Sequence, residues 1–323
     1  MFNCRVCGNT ENNKIYLVRE MMFGTRDEFE YVECSNCGCL QIKSFPGKIS
    51  RYYPDEYNAF NRHEFSKRNK LLYYLQHKKL EHLLNGNKNM VGWIITSFIK
   101  NSFEDKLVPA QVKTNYKILD VGSGTGARLI RMRQKGFENI TGSDIFINGD
   151  ITYDEGLRII KKDISEIDDR FDFIMMNHSF EHVPDPVGTL RILNNLILPG
   201  KYLLIRIPVS GSYSWKEHGT NWVALDAPRH FHLHTPRSMK LLAEKTGFIL
   251  NKIVFDSSEY QFIGSEQYKR DIYLKDENSY YENPAKSIFT KRIIKQFRKR
   301  AKQLNRTGEG DAACFYLYKP DEL

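Results

Sequence analysis

Long apolar runs are missing from this sequence. The longest, Met90–Ile99, has ten residues, against the roughly 20 that a membrane-spanning helix needs. The opening Met1-Phe2-Asn3-Cys4 has no basic stretch followed by an apolar one, so a cytoplasmic rather than a secreted protein is expected. There is no internal repeat and no low-complexity stretch, which sets aside solenoids and disordered chains. Cysteine is scarce, with six residues of which five precede residue 45, so a secreted disulfide scaffold is also a poor fit. Acidic residues are missing from one place in particular. Between Lys286 and Arg306 nine basic residues stand with no acidic one, giving +9, which equals the net charge of the whole 323-residue chain. The rest of the protein is therefore neutral. A basic surplus ordinarily points to nucleic acid, but a surplus confined to one segment does not, and nucleic acid is not an expected partner.

What is present begins with a change of texture. Residues 1–45 read as a cysteine-punctuated unit. Residues 46–112 read as an aromatic linker, rich in Tyr and Phe over 50–60, followed by helical patterns at His63–Leu84 and Met90–Lys100. Residues 113–323 then alternate short apolar runs with amphipathic stretches. Strands are expected at Lys117–Val121, Asn139–Ser143, Leu157–Lys161, Phe171–Met176, Tyr202–Ile207, Phe248–Phe255 and Ala312–Tyr318. Helices are expected at Ala127–Lys135, Pro186–Leu196 and Pro236–Lys245, the last with Thr235 as N-cap and Pro236 at the first helical position. This alternation implies an α/β, doubly wound, mostly parallel sheet of seven strands, with a helical basic insertion over 256–311.

The most informative motif is Asp120-Val121-Gly122-Ser123-Gly124-Thr125-Gly126, which leaves a strand and opens a helix. Glycines let the backbone turn tightly and approach a ligand at the helix start. They suit a dinucleotide as well as any other nucleoside cofactor. Asp120, ending the first strand, favours a cationic ligand group. Asp144, 24 residues later, can accept from two ribose hydroxyls, and Asp163 after the third strand can accept from an adenine amino group. With these companions, DVGSGTG, GSDI, KKDI, FDFIMMNHSFEHVPDP and LPGKYLLIRIP resemble, in order, the class I S-adenosylmethionine (SAM)-dependent methyltransferases. The resemblance implies a Rossmann-like fold with SAM as cofactor. It further implies that Asp120 and the glycines Gly122, Gly124 and Gly126 hold the methionine part, Asp144 the ribose and Asp163 with Ile164 the adenine, with Ser123, Ile145 and Asn177 as further cofactor-binding candidates.

Cys4-x-x-Cys7-Gly8 and Cys34-x-x-Cys37-Gly38 are two matching knuckles. Each turn can present two thiolates to one metal, and together they suit a closed, structural tetrahedral zinc. Cys39 reads as a non-ligand and Cys314 as core. The zinc-ribbon unit, the YYPDEY segment and the later LDAPRHFHLHTPRS loop together resemble bacterial methyltransferases of sugar and surface-polysaccharide biosynthesis. That resemblance implies a small-molecule or glycan acceptor. Sugar C-methyltransferases share the zinc unit, and some RNA methyltransferases also begin with a zinc ribbon, so both stay as alternatives.

Methyl transfer to a sugar hydroxyl gains from a nearby base. His178, just past the fourth strand, and His230 and His232, after the fifth, are the candidates, and Arg229 is a candidate for substrate phosphate or carboxylate. Trp215 and Trp222 are candidate walls for a sugar ring. Related quinone O-methyltransferases place a metal at Glu-x-x-Glu-His; here the segment reads His178-Ser179-Phe180-Glu181-His182, so the first carboxylate is missing and no catalytic metal is expected. In the basic segment, Phe289, Ile293, Phe297, Ala301 and Leu304 recur at helical spacing. An amphipathic basic helix over 286–306 is expected, with peripheral contact to an anionic membrane as its functional reading.

Overall fold

A computed structural model describes residues 2–54, 70–84, 86, 89–98 and 103–321. The strands are β1 (Lys14–Arg19), β2 (Glu28–Glu33), β3 (Leu40–Ile42), β4 (Ile118–Val121), β5 (Ile140–Ser143), β6 (Ile151–Thr152), β7 (Arg158–Ile160), β8 (Phe171–Asn177), β9 (Ile197–Pro208), β10 (His232–Leu233), β11 (Ile249–Phe255) and β12 (Ala312–Tyr318). The helices are α1 (Lys70–Leu83), α2 (Met90–Phe98), α3 (Ala127–Gln134), α4 (Pro186–Leu196), α5 (Tyr213–His218), α6 (Pro236–Lys245), α7 (Tyr260–Tyr268) and α8 (Lys291–Thr307). The expected helical stretch 63–69 lies outside the described residues.

The main sheet runs β11-β12-β9-β8-β4-β5-β7-β6. Its centre is parallel, and β6, β11 and β12 join antiparallel. It has eight strands rather than the expected seven: a two-residue edge strand, β6, folds back onto β7, a pairing too short to leave a period in the sequence. The central strands are apolar on both faces because each face is covered. On one side α4 and α6 pack with the cysteine unit, and on the other α3 packs with Leu80 of α1 and Leu107–Val112. Local chemistry sets the helix starts. The Asp185 side chain accepts from Gly188 N–H before Pro186 opens α4, and Thr235 caps α6 by accepting from Ser238 N–H, with Pro236 in the first turn.

A second sheet, β1-β2-β3-β10, joins the cysteine unit to the distant LDAPRH loop. His232 pairs with Gln41 and Leu233 with Leu40. In space the N-terminal unit therefore does not close on itself at residue 45.

The basic segment forms a helix from Lys291, after a Thr290 cap, and its apolar stripe is covered. Phe297, Ala301 and Leu304 pack against Phe262 of α7, the Phe262 and Phe297 rings lying 5.1 Å apart. Its basic face stays exposed. Among the described residues no helix is long and apolar enough to cross a membrane.

Candidate active site

The crevice lies beyond the carboxyl ends of β4, β5 and β8, on either side of the central strand, where open α/β sheets bind ligands. Gly122, Gly124 and Gly126 carry φ of 71, 55 and 88°, the left-handed region open to glycine at little cost. A Cβ on Gly122 would come within 2.4 Å of the Ser179 Cβ, so the loop is pressed against the β8 turn. Asp144 braces it: one carboxylate oxygen accepts from Gly124 N–H and the other from Phe146 N–H, both at 2.8 Å. Asp163 caps the turn Ile164–Glu166 and lies at the surface with buried Ile164 beneath it. Ile145 and Phe146 leave apolar surface exposed at the end of β5, where Tyr53 lies nearly parallel to Phe146 at 6.0 Å.

Two buried polar groups face this crevice without hydrogen bonds. Neither oxygen of Asp120 has a donor, the nearest cation being Arg128 at 3.5 Å, and both ends of the Asn177 amide are unpaired. Buried polar groups are nearly always satisfied, so this pair is built for a ligand. A carboxylate at the end of β4 over a glycine loop suits the ammonium and carboxylate of an amino acid, and Asp144 retains lone pairs for diol hydroxyls. The residues fit SAM.

Past the end of β8 lies a cavity of about 530 Å³ bounded by His178, His230, Arg206, Asp226, Tyr281 and Asp311, among others. Next to both histidines Glu181 is fully buried. His178 Nδ1 lies 3.4 Å from Glu181 and His230 Nε2 3.9 Å from it. Burial pushes the Glu181 carboxyl up, but the surrounding His178, His182 and His230 outweigh that and hold it at about 2. The two histidines differ in their hydrogen-bond partners. Arg206 can only donate, so its bond to His178 Nε2 occupies that lone pair. The His230 Nδ1 faces the Ala224 carbonyl at 2.8 Å, which can only accept, so Nδ1 carries a proton and, in the neutral ring, the lone pair is on Nε2. That Nε2 also lies 3.7 Å from Asp226.

Other candidates do not reach the cavity. Arg229 is fully buried, its guanidinium shared among Asp226, Glu20 and the Tyr52 carbonyl, so it is a structural ion pair and not a substrate ligand. His232 is buried in β10, with Nδ1 on the Val183 carbonyl and its ring stacked on His234; burial first and His234 second keep it neutral. His232 and His234, two residues apart, stack ring on ring, whereas His230 turns towards His182 at 4.8 Å between ring centroids. Trp215 and Trp222 belong to the core under the second sheet; Trp222 acts on the cavity from behind, donating to Asp311 at 2.9 Å. Glu181, Asp226, Arg206 and Asp311 are site residues that motif reading did not select.

The four knuckle cysteines bring their sulfurs within 4.8 Å of one another, with pairs at 3.5 and 3.6 Å. A tetrahedral Cys4 zinc with bonds of ~2.3 Å has sulfurs ~3.8 Å apart, so the group fits. The knuckles repeat one hydrogen-bond pattern: Gly8 N–H to Cys4 O and Gly38 N–H to Cys34 O. Cys39 stands outside the group, facing His234.

A family model described as a methyltransferase domain matches residues 68–252. The chain belongs to the methyltransferase-domain family. No curated protein sequence matches it. Among solved structures the methyltransferase is similar to a SAM-dependent methyltransferase from Archaeoglobus fulgidus (19% identity, 78% of this chain and 100% of that one, TM-score 0.40). It is also similar to the mycolic acid cyclopropane synthase CmaA1 complexed with SAH (15%, 78% and 99%, TM-score 0.43) and to the cyclopropane synthase MmaA2 from Mycobacterium tuberculosis (17%, 76% and 95%, TM-score 0.39). Likeness at that level says nothing about the acceptor.

In this methyltransferase burial raises Asp120 to about 6, against the partial relief given by Arg128. An ammonium binds the ionised carboxylate. SAM affinity is therefore expected to strengthen as pH rises through about 6 and to be about tenfold weaker at pH 5 than at pH 7. Calorimetric titration across that range, with Asp120→Asn flattening the profile, checks it.

Proposed function

We propose that this methyltransferase O-methylates a sugar, as a nucleotide sugar or surface-glycan precursor, with His230 as general base. The observation that carries the reading is His230 Nε2, in the neutral ring a lone pair without a hydrogen bond, on a cavity whose largely apolar wall carries several hydrogen-bonding groups. Asp226, Asp311, Ser257, Ser258 and Tyr281 line that cavity, and they match the alternating hydroxyls of a sugar. Bound at Asp120 and the glycine loop, SAM supplies an electrophilic sulfonium methyl group, and its transfer to oxygen leaves S-adenosylhomocysteine. The chain's own residues orient the acceptor and take its proton. An acceptor hydroxyl within reach of Nε2 gives its proton there, and the resulting imidazolium sits between the Asp226 and Glu181 carboxylates. Zinc held by Cys4, Cys7, Cys34 and Cys37 belongs to the same reading, as scaffold. Incubation with labelled SAM and a panel of nucleotide sugars is expected to give an O-methyl sugar. Transfer to RNA alone, or to a ring carbon of a keto-sugar, would replace the reading with one of its alternatives.

A second reading has its own observation: Glu181, His182 and His230 each bring a ligand atom within 4.8 Å of the others, the distant His230 standing in for the carboxylate missing from the sequence segment. Cation-assisted transfer would then be lost to a chelator too weak to strip four thiolates and restored by Mg²⁺ or Mn²⁺. Chelator-resistant turnover removes it.

Peripheral membrane contact through α8 would be electrostatic, because its apolar stripe is already covered. Binding to anionic vesicles is expected at low salt and is expected to vanish at ~0.5 M salt, where the screening length is only a few ångströms. Co-sedimentation measures it.

A further inference from the structure

We infer that the N-terminal cysteine unit is a positioning element of the acceptor site, with Glu20 and Tyr31 holding His230 in place. The inference rests on His230 being the base. Glu20, Tyr31 and Arg229 are fully buried, although Glu20 and Arg229 are 209 residues apart in sequence. The Glu20 carboxylate accepts from the Met22, Phe23 and Thr25 N–H groups at 2.9–3.0 Å, which fixes the loop after β1. It also accepts from Arg229 Nη2 at 2.9 Å. Arg229 in turn holds Asp226 through Nε and Nη2, and Asp226 stands 3.7 Å from His230 Nε2. The backbone of the same segment is fastened from the other side. Tyr31 Oη donates to the His230 carbonyl at 2.8 Å, Ile42 N–H donates to the Phe231 carbonyl at 3.0 Å, and β10 completes the second sheet. Met22, from the Glu20 loop, is itself part of the cavity wall.

Charge explains why this arrangement matters to the reaction. Glu20, Arg229 and Asp226 sum to one negative charge, and the Arg229 cation is divided between two carboxylates. Asp226 consequently keeps part of its field for an imidazolium forming at His230. Removing the charge of Glu20 concentrates Arg229 on Asp226 and weakens that support. Removing the Tyr31 hydroxyl frees the His230 carbonyl and loosens the ring. Neither change reaches the glycine loop. Glu20 and Tyr31 are therefore positioning residues, acting through His230.

The test is a double-mutant cycle on the full chain. Glu20→Gln is expected to lower kcat by about tenfold and Tyr31→Phe by about threefold, each with SAM affinity within twofold of the parent. In a His230→Ala background both substitutions should change the residual rate by less than about twofold, because the group they act through is gone. A folded Glu20→Gln and a folded Tyr31→Phe at the parent rate would overturn the inference, and so would equal losses in both backgrounds. If instead His230→Ala alone leaves the rate intact, the base assignment has failed, and the cycle shows this separately. Tyr31→Phe, which removes one atom, keeps the test open if Glu20→Gln does not fold.

Discussion

Replacing His230 by Ala is expected to slow methyl transfer by on the order of a thousandfold, with SAM affinity within about threefold of the parent. Positioned general bases contribute typically 10²–10⁴-fold. The middle of that range, and not its lower end, applies because the His230 ring is fixed by its Ala224 bond and its product imidazolium would be flanked by two carboxylates. The cofactor loop hangs on β4 and β5, two segments that His230 does not touch, so binding and turnover should separate. His178→Ala gives the contrast. Its Nε2 is committed to Arg206, so a loss below about tenfold is expected, arising from a freed Arg206 rather than a missing base. A comparable loss in both variants would mean that the histidines share the proton. Full activity in His230→Ala would return the assignment to His178.

Glu181 adds a pH signature. Its folded value of about 2 is below the ordinary carboxylate range. Its contribution to stability is present above pH ~4.5 and is lost as pH falls towards 2. Across the working range it stays ionised and cannot itself shape the pH profile of turnover. An acid limb in turnover near pH 6 would report other groups, Asp120 and Asp311 both being raised to about 6 by burial.

What the sequence made legible and what it hid divide along chain distance. The strand-end placement of Asp120, the glycines and Asp144 was readable, because each strand's apolar run marks where it stops, although the Asp144–Gly124 bond joins two strands. Also readable were Thr235 and Pro236 at the start of α6, and Cys-x-x-Cys-Gly, whose spacing alone builds the turn. The hydrogen-bond partners of His178 and His230 were not readable. They are Arg206, one strand from His178, and a carbonyl six residues upstream of His230 that only the fold of the 224–230 loop brings under the ring. Arg229 misled for a related reason: an arginine beside two histidines looks like a substrate ligand until Glu20, from the other end of the chain, is seen to occupy it. The paired tryptophans misled because large aromatic residues near a site are as often its foundation as its wall. Trp222 serves the cavity only through Asp311.

Replacing Cys37 by Ser is expected to reduce turnover to below about a hundredth while leaving SAM binding within about fivefold. Metal binding to a structural Cys4 site amounts to ~10–16 kcal/mol in small peptides, and because such sites are not preformed this is folding free energy. A domain has only ~5–15 kcal/mol in total, so a unit of 45 residues with one damaged knuckle cannot hold its shape from its own core. Cys37 is placed where the damage spreads. Its carbonyl accepts from Thr235 Oγ1 at 2.6 Å, the residue that caps α6, and Gly38 lies against the Thr235 methyl group. Two residues further on, β3 carries the ladder that secures β10. Loosening the knuckle therefore releases the chain just C-terminal to His230, at β10 and at the Thr235 cap, whereas Asp120, Asp144 and the glycine loop are held by the main sheet. Cys39→Ser is the control: Cys39 is equally buried but stands outside the sulfur cluster, so that variant should keep its metal even if it loses some stability. Metal analysis, SAM titration and turnover on the same preparations distinguish the outcomes. About one zinc per chain is expected in the parent and in Cys39→Ser, and a fraction of that in Cys37→Ser. A metal-depleted Cys37→Ser that turns over at the parent rate would show that the knuckles support stability alone and that the acceptor site keeps its shape without them.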